Sequence, residues 1–268
     1  MTERSTLAEL VRDLADEHDA LDRLLVGLDE RDWAHPTPSP GWSVGDQVGH
    51  LGYFDRTATL AVVDQDGFAD HLAAALDEMQ QGGLDDTSLR QARSMPPGEL
   101  HLWWRSGAAA LVEAAARLGD GDRLGWYGPS MGARSFLTAR LMETWAHGHD
   151  LADTFGLVVL ATPRLRHIAQ LGFITRGWSY SVRGREVPEE AVRVELSAPG
   201  GGTWTWGDDA ADDSIAGPAL GFCQVVTQRR HVDDTDLETT GSAAVEWMHL
   251  AQAFAGAPTE GPPPRSKP

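Results

Sequence analysis

The chain is short of sulfur, of positive charge and of long apolar runs, and each shortage excludes something. A single cysteine, Cys223, among 268 residues rules out an intramolecular disulfide and any zinc site built from several thiolates. If thiol chemistry takes place here, the thiol comes from outside the protein. Lys and Arg total 22 against 40 Asp and Glu, a formal net charge of −18. Binding a phosphate backbone or an anionic lipid surface needs clustered cations, so neither nucleic acid nor membrane is expected as a partner. No run of 18 consecutive apolar residues exists to span a bilayer. The opening MTERSTLAEL has no apolar stretch of signal-peptide type. We therefore expect a cytoplasmic protein that works on small molecules, with its oligomeric state left open. No internal repeat or long low-complexity tract is visible.

The length allows one large or two small domains. From Leu7 the stripe Leu7, Val11, Leu14, His18, Leu21, Leu25, Leu28 alternates steps of four and three, which places one face of a helix against neighbours. His18 on that stripe reads as a hydrogen-bonded core residue. Pro36, Pro38 and Pro40 cannot continue a helix. Ser43 then starts a second one, with Asp46 three residues later as its capping-box partner. On this helix Gln47, His50, Leu51, Phe54 and Ala58 share a face, which turns His50 inward. Further helices are expected over about 68–81, 97–118 and 133–155, the last stopped by Gly156. The turn-rich segment GDGDRLGWYGPSMGA is expected to reach over one end of the bundle. On the 133–155 helix Phe136, Arg140, Glu143, His147 and Asp150 or Leu151 line one side. Such polar residues are expensive to bury unless something pairs them.

A sixth helix over 163–182 leads into a second region. There AVRVELSAP and GTWTWG alternate as two strands joined by GGG, and GPALGFCQVVTQRR and SAAVEWMHLAQAFAG read as helices. The ending APTEGPPPRSKP has the composition of a disordered tail. The fold class is α+β: a helix bundle over 1–160, a small α+β domain over 161–256 and a disordered tail over 257–268.

Chance alone supplies about 1.5 acid-x-x-x-His pairs in a chain with this many acids and histidines. The chain has two, Asp46/His50 and Glu143/His147, so spacing by itself decides nothing. The surrounding residues do more. Trp33, the run PTPSPGWSV from Pro36 to Val44, and His50 form one pattern; Glu143, His147, Gly148 and Asp150 form another, Glu-x-x-x-His-Gly-x-Asp. Together they resemble the mycothiol-dependent maleylpyruvate isomerase family, whose N-terminal domain is a DinB-like four-helix bundle. The likeness covers roughly the first 155 residues and is looser beyond. Ser39 stands where many relatives carry Cys, and nothing functional is read into that turn position.

The resemblance implies that His50, Glu143 and His147 are the ligands of a divalent metal, for which zinc is suited, with a fourth position open. It also implies a low-molecular-weight thiol, mycothiol or a similar one, activated as a thiolate. Thiolate addition to the conjugated cis double bond of a maleylpyruvate-like substrate, rotation and elimination would return the trans isomer and the thiol. The same site would serve a thiol S-transferase acting on an electrophilic small molecule. A third alternative, from another class, is a non-catalytic metal-bearing binding protein. A structural zinc wants four protein ligands, and His149 lies about 200° around the helix from His147. Asp150 either orients the His147 ring, contacts substrate or caps the helix end. Arg140 reads as an anion hook or, in preference, as a salt-bridge partner of Glu143. Arg229 is the candidate cation for a substrate carboxylate, with Arg230 as the register alternative. Relatives usually carry Gly-Arg there, whereas this chain has Gln228-Arg229. Cys223 reads as a small buried hydrophobe, and Trp42 and Trp145 as packing residues.

Overall fold

A computed structural model of the chain describes residues 6–82, 84–128 and 130–265, without the side chains of 79–82 and 84–86. The first five residues of the expected bundle and the last three of the expected tail lie outside the described residues. The chain divides into two units, one ending at Val159 and the other starting at Leu160.

The N-terminal unit is built from capped, amphipathic helices. The Thr6 hydroxyl accepts from the Glu9 amide at 3.1 Å and the Glu9 carboxylate accepts from the Thr6 amide at 2.6 Å, a reciprocal cap that starts α1 (Leu7–Leu25). The expected box at Ser43 and Asp46 starts α2 (Val44–Val63) in the same way. Asp46 also accepts from Arg93 Nε at 2.8 Å. Next come α3 (Gln65–Gly82), α4 (Leu84–Leu89), α5 (Pro97–Ala115) and α6 (Ala133–Thr154). Both α1 and α2 pack against α5 and α6, which makes the four-helix bundle, while α3 and α4 lie along α2.

Leu21, Leu25, Val48, Leu51, Leu100, Trp104 and Leu151 are buried together in its core. Each such side chain contributes about 1.5–3 kcal/mol relative to exposure. Close approach of α2 to α5 depends on Gly52, where a Cβ would fall 2.3 Å from the Trp103 ring. Helix α6 ends with Gly156 at φ 64° and a Leu157 amide that donates back to Ala152 O at 2.8 Å. The segment before α6 is a small hairpin, β1 (Arg123–Leu124) with β2 (Met131–Gly132). Trp126 in its loop stacks on Phe68 of α3, ring centroids 5.8 Å apart, and Tyr127 meets Phe54 of α2 edge-on at 5.4 Å.

In the C-terminal unit the helix expected over 163–182 is two, α7 (Leu165–Ile174) and α8 (Arg176–Ser181). At the break the Thr175 hydroxyl donates to Leu171 O at 2.8 Å, a local bond that competes with regular helix. The foreseen hairpin is β3 (Val192–Ser197) with β4 (Thr203–Trp206), antiparallel, and its Gly200, Gly201 and Gly202 all have positive φ. Two further strands were not expected: β5 (Asp213–Pro218), parallel to β3, and β6 (Glu238–Thr240), antiparallel to β5, giving the order β4-β3-β5-β6. The helices α9 (Ala219–Val226) and α10 (Ser242–Leu250) are shorter than the segments expected for them. The segment expected as a tail makes hydrogen bonds as far as it is described: the Arg265 amide donates to the Asp234 carboxylate at 2.9 Å, and Thr259 bonds Gln228. The architecture is thus α+β, a helix bundle followed by a mixed sheet with helices. Among the described residues no helix is long and apolar enough to cross a membrane.

Candidate metal centre

Helix α2 contributes His50, and α6 contributes Glu143 and His147 one turn apart. One donor atom from each lies within 4.8 Å of the other two. Among the described residues no other group of three His, Cys, Asp or Glu side chains converges in this way. The His147 Nε2 is 3.4 Å from Glu143 Oε2, and the two imidazole rings are 4.8 Å apart between centroids. His147 is buried, whereas His50 and Glu143 are half-buried. Burial alone would raise the Glu143 pKa, but the neighbouring His147, His50 and Arg140 side chains overcome it and push it down to about 2. The carboxylate is therefore ionised at neutral pH.

Aromatic rings wall the cluster. The Trp42 ring lies parallel to His147 at 5.9 Å and tilted against His50 at 5.0 Å, and Phe54 meets His50 at 4.6 Å. Polar contacts on the other ring nitrogen of His147 come from a residue that sequence reasoning placed on the inward face without giving it a role. The Gln47 amide oxygen bonds His147 Nδ1, the Gln47 amide nitrogen donates to Thr37 Oγ1 at 2.8 Å, and the Thr37 hydroxyl donates to Trp42 O at 3.0 Å. Asp150 lies beside the same ring, its Oδ2 3.8 Å from Nδ1, too far for a hydrogen bond. Its carboxylate instead accepts from the Ser39 hydroxyl at 3.2 Å. Ser39, passed over as a turn residue, thus ties the Pro-rich loop to α6. Gln47 was discoverable in principle, because it precedes His50 by three residues on the same helix face.

Arg140 departs from expectation. Its guanidinium donates to Asp55 Oδ1 through Nη2 at 2.8 Å and Nε at 3.2 Å, and Asp55 rather than Glu143 is its ion-pair partner. Asp55 is wholly buried on α2, where an unpaired carboxylate would be very costly. His18 belongs to the same network, with Nε2 3.5 Å from Asp55 Oδ2.

In the C-terminal unit Arg229 follows the end of α9. The helix closes with Gln228 in the left-handed region at φ 58°, while the Arg229 amide donates to Gln224 O at 2.7 Å and the Gln228 amide to Val225 O at 2.9 Å. That is a position glycine favours, which gives the Gln228-for-Gly departure a physical meaning. The Gln228 side chain is tethered to Ala251 O and Thr259 O, both at 3.1 Å. Arg229 Nη1 donates to Thr227 O at 2.8 Å, and Arg230 Nη1 to Arg229 O at 2.7 Å. Cys223 is fully buried on α9, and burial pushes its thiol pKa up.

Two imidazoles and an ionised carboxylate are a donor set that zinc and several other divalent metals accept, and three protein donors leave a coordination position open. The residues present therefore fit such an ion. Comparison with solved structures finds the same fold in a mycothiol-dependent maleylpyruvate isomerase, at a TM-score of 0.58, and in a histidine-to-alanine mutant of it, at 0.59. Each is 16% identical and covers 90% of this chain and 96% of the solved one. An uncharacterized protein of Mycobacterium tuberculosis, found in strains CDC 1551 / Oshkosh and ATCC 25618 / H37Rv, is 44% identical over 251 residues, 94% of this chain and 97% of the relative. Residues 14–152, which contain all three converging side chains, match the family described as mycothiol maleylpyruvate isomerase N-terminal domain, and it is to this family that the chain belongs.

Proposed function

We propose that the chain is a metal-dependent enzyme that uses a low-molecular-weight thiol, mycothiol or a similar one, to isomerise a cis double bond in a maleylpyruvate-like substrate. The observation that carries this reading is the convergence of His50, Glu143 and His147 within 4.8 Å. These three would hold a divalent ion, with zinc the best match to nitrogen and carboxylate donors. Such an ion, when bound, lowers the pKa of a thiol in its open position and so supplies a strong nucleophile at neutral pH. The chain's own residues orient and shield. Trp42 and Phe54 present apolar faces beside the imidazoles, which keeps the local dielectric low, and Asp150 anchors the loop that carries Trp42 through Ser39. Arg229 is the cation we assign to a substrate carboxylate, which would otherwise meet a repulsive field from a protein of charge −18. A reduced thiol cofactor fits a location inside the cell.

Metal analysis of the purified protein, followed by turnover assays with and without added thiol, tests the reading. Maleylpyruvate and simple uncharged electrophiles are the two substrate arms. Thiol-dependent formation of the trans isomer supports it, a stable thiol adduct would reassign the chain to S-transfer, and turnover unaffected by thiol would refute it.

A further inference from the structure

The chain of bonds behind His147 has a direction, and the direction fixes which ring nitrogen is free to act as a donor to a metal. It starts at the Trp42 carbonyl oxygen, which can only accept. The Thr37 hydroxyl gives its single hydrogen to that oxygen at 3.0 Å, so toward Gln47 the same hydroxyl oxygen accepts. The group it accepts from at 2.8 Å must then be the NH2 end of the Gln47 amide. With its nitrogen committed to Thr37, the amide turns its oxygen to His147 Nδ1. An amide oxygen cannot donate, so Nδ1 carries the proton. The Nε2 lone pair is left facing Glu143 and His50. Given the bond of the Thr37 hydroxyl to Trp42 O, each later step follows from donor and acceptor chemistry.

We infer that Gln47 and Thr37 are positioning residues that lock His147 in its Nδ1–H tautomer. Neither offers a donor atom to the cluster of three. Asp150 is the other acceptor near Nδ1, but at 3.8 Å it makes no hydrogen bond. Gln47 is wholly buried, so water does not compete for its amide. The parallel Trp42 ring at 5.9 Å holds the imidazole plane from its face while the amide holds it from its edge. The same Trp42 residue supplies the carbonyl that sets the direction, so the Pro-rich loop acts on the tautomer through its backbone and on the ring plane through its side chain. This inference rests on the metal reading for its purpose, although not for its geometry.

The test separates the two. In the metal-free protein, long-range 1H–15N correlation NMR at pH 8, with His147 assigned through His147→Gln, should show a protonated Nδ1 and a bare Nε2. Thr37→Val removes the acceptor that orients the amide, so it should shift His147 toward the Nε2–H form; Thr37→Ser should restore the wild-type spectrum. Zinc affinity, measured by competition with a chromophoric chelator, should fall about 10- to 100-fold in Gln47→Leu and in Thr37→Val, as when a partner behind a metal-bound imidazole is lost. Gln47→Glu, which still accepts, and Thr37→Ser should stay close to wild type. Circular dichroism of each variant checks that the bundle is folded. A wild-type Nε2–H tautomer would overturn the inference, as would unchanged zinc affinity in both Gln47→Leu and Thr37→Val. If the wild-type protein binds no zinc, the metal reading fails, and the NMR arm still decides the tautomer.

Discussion

Removing the Asp55 carboxylate should unfold the N-terminal bundle at markedly lower denaturant. Asp55 is wholly buried on α2, and its partners are buried with it, the Arg140 side chain 5% exposed and that of His18 3%. In Asp55→Ala the Arg140 guanidinium, which cannot shed its charge, stays inside the bundle without its carboxylate. Breaking a buried pair from one side costs about 3–5 kcal/mol. At 2–4 °C per kcal/mol for a protein of this size, the midpoint should drop by roughly 6–20 °C. Replacing both partners, as in Asp55→Leu with Arg140→Met, removes both charges and should recover most of the loss. Urea titration at pH 7 with equal m-values across the set measures each difference cleanly.

A pH series adds an independent check. Burial alone would raise the Asp55 pKa, but the charges of Arg140 and His18 bring it below the ordinary 3.8. A carboxyl whose folded-state pKa is lowered contributes stability that is fully present above its unfolded value and is lost as pH falls through the folded one. The wild type should therefore lose stability more steeply in acid than the double variant does. Asp55→Ala within about 1 kcal/mol of wild type would refute the argument, since the pair would then be worth no more than one at the surface.

Further outcomes follow from the same geometry. His50→Ala should abolish tight metal binding while leaving circular dichroism unchanged, and full metal retention by inductively coupled plasma analysis would dismiss the ligand assignment. Cys223→Ser should keep most of the turnover, because burial disfavours the Cys223 thiolate; an adduct on Cys223 in intact-mass spectra during turnover would contradict this. Arg229→Ala should leave metal content untouched and lower kcat/KM on a carboxylate-bearing substrate by about 1.5–3 kcal/mol, roughly 10- to 150-fold. An equal loss on an uncharged electrophile would show that Arg229 serves the fold or the thiol.

What could be read from the residues divides along the range of the interactions involved. The α1 stripe, the Ser43/Asp46 cap, the stop at Gly156 and the Gly200–Gly202 hairpin rest on contacts a few residues apart, and each stands in the structure as the pattern implied. Strand β5 was not legible because its pairing with β3 is parallel and its sequence, DSIAGP, has little of the β-branched alternation that marks a strand. The ending of α9 is a different case. The helix expected to run on through the polar residues Thr227 to Arg230 stops at Val226, because Gln228 takes a left-handed conformation while its side chain is tethered to Ala251 and Thr259, and no propensity scale contains that constraint.

At the candidate site the two family patterns brought out the three converging side chains, while the residues that contact them stayed hidden. Gln47 to His147 and Ser39 to Asp150 are contacts across 100 and 111 residues, and no local period records them. Arg140 shows the same limit from the other side. On its own helix Glu143 is the nearest acid, and a local rule pairs the two. The fold instead buries Asp55 against that stretch of α6, and a fully buried carboxylate has the stronger claim on a guanidinium than one that keeps a quarter of its side chain in solvent. Glu143 is thereby left beside the two imidazoles of His50 and His147 and not paired with the Arg140 guanidinium.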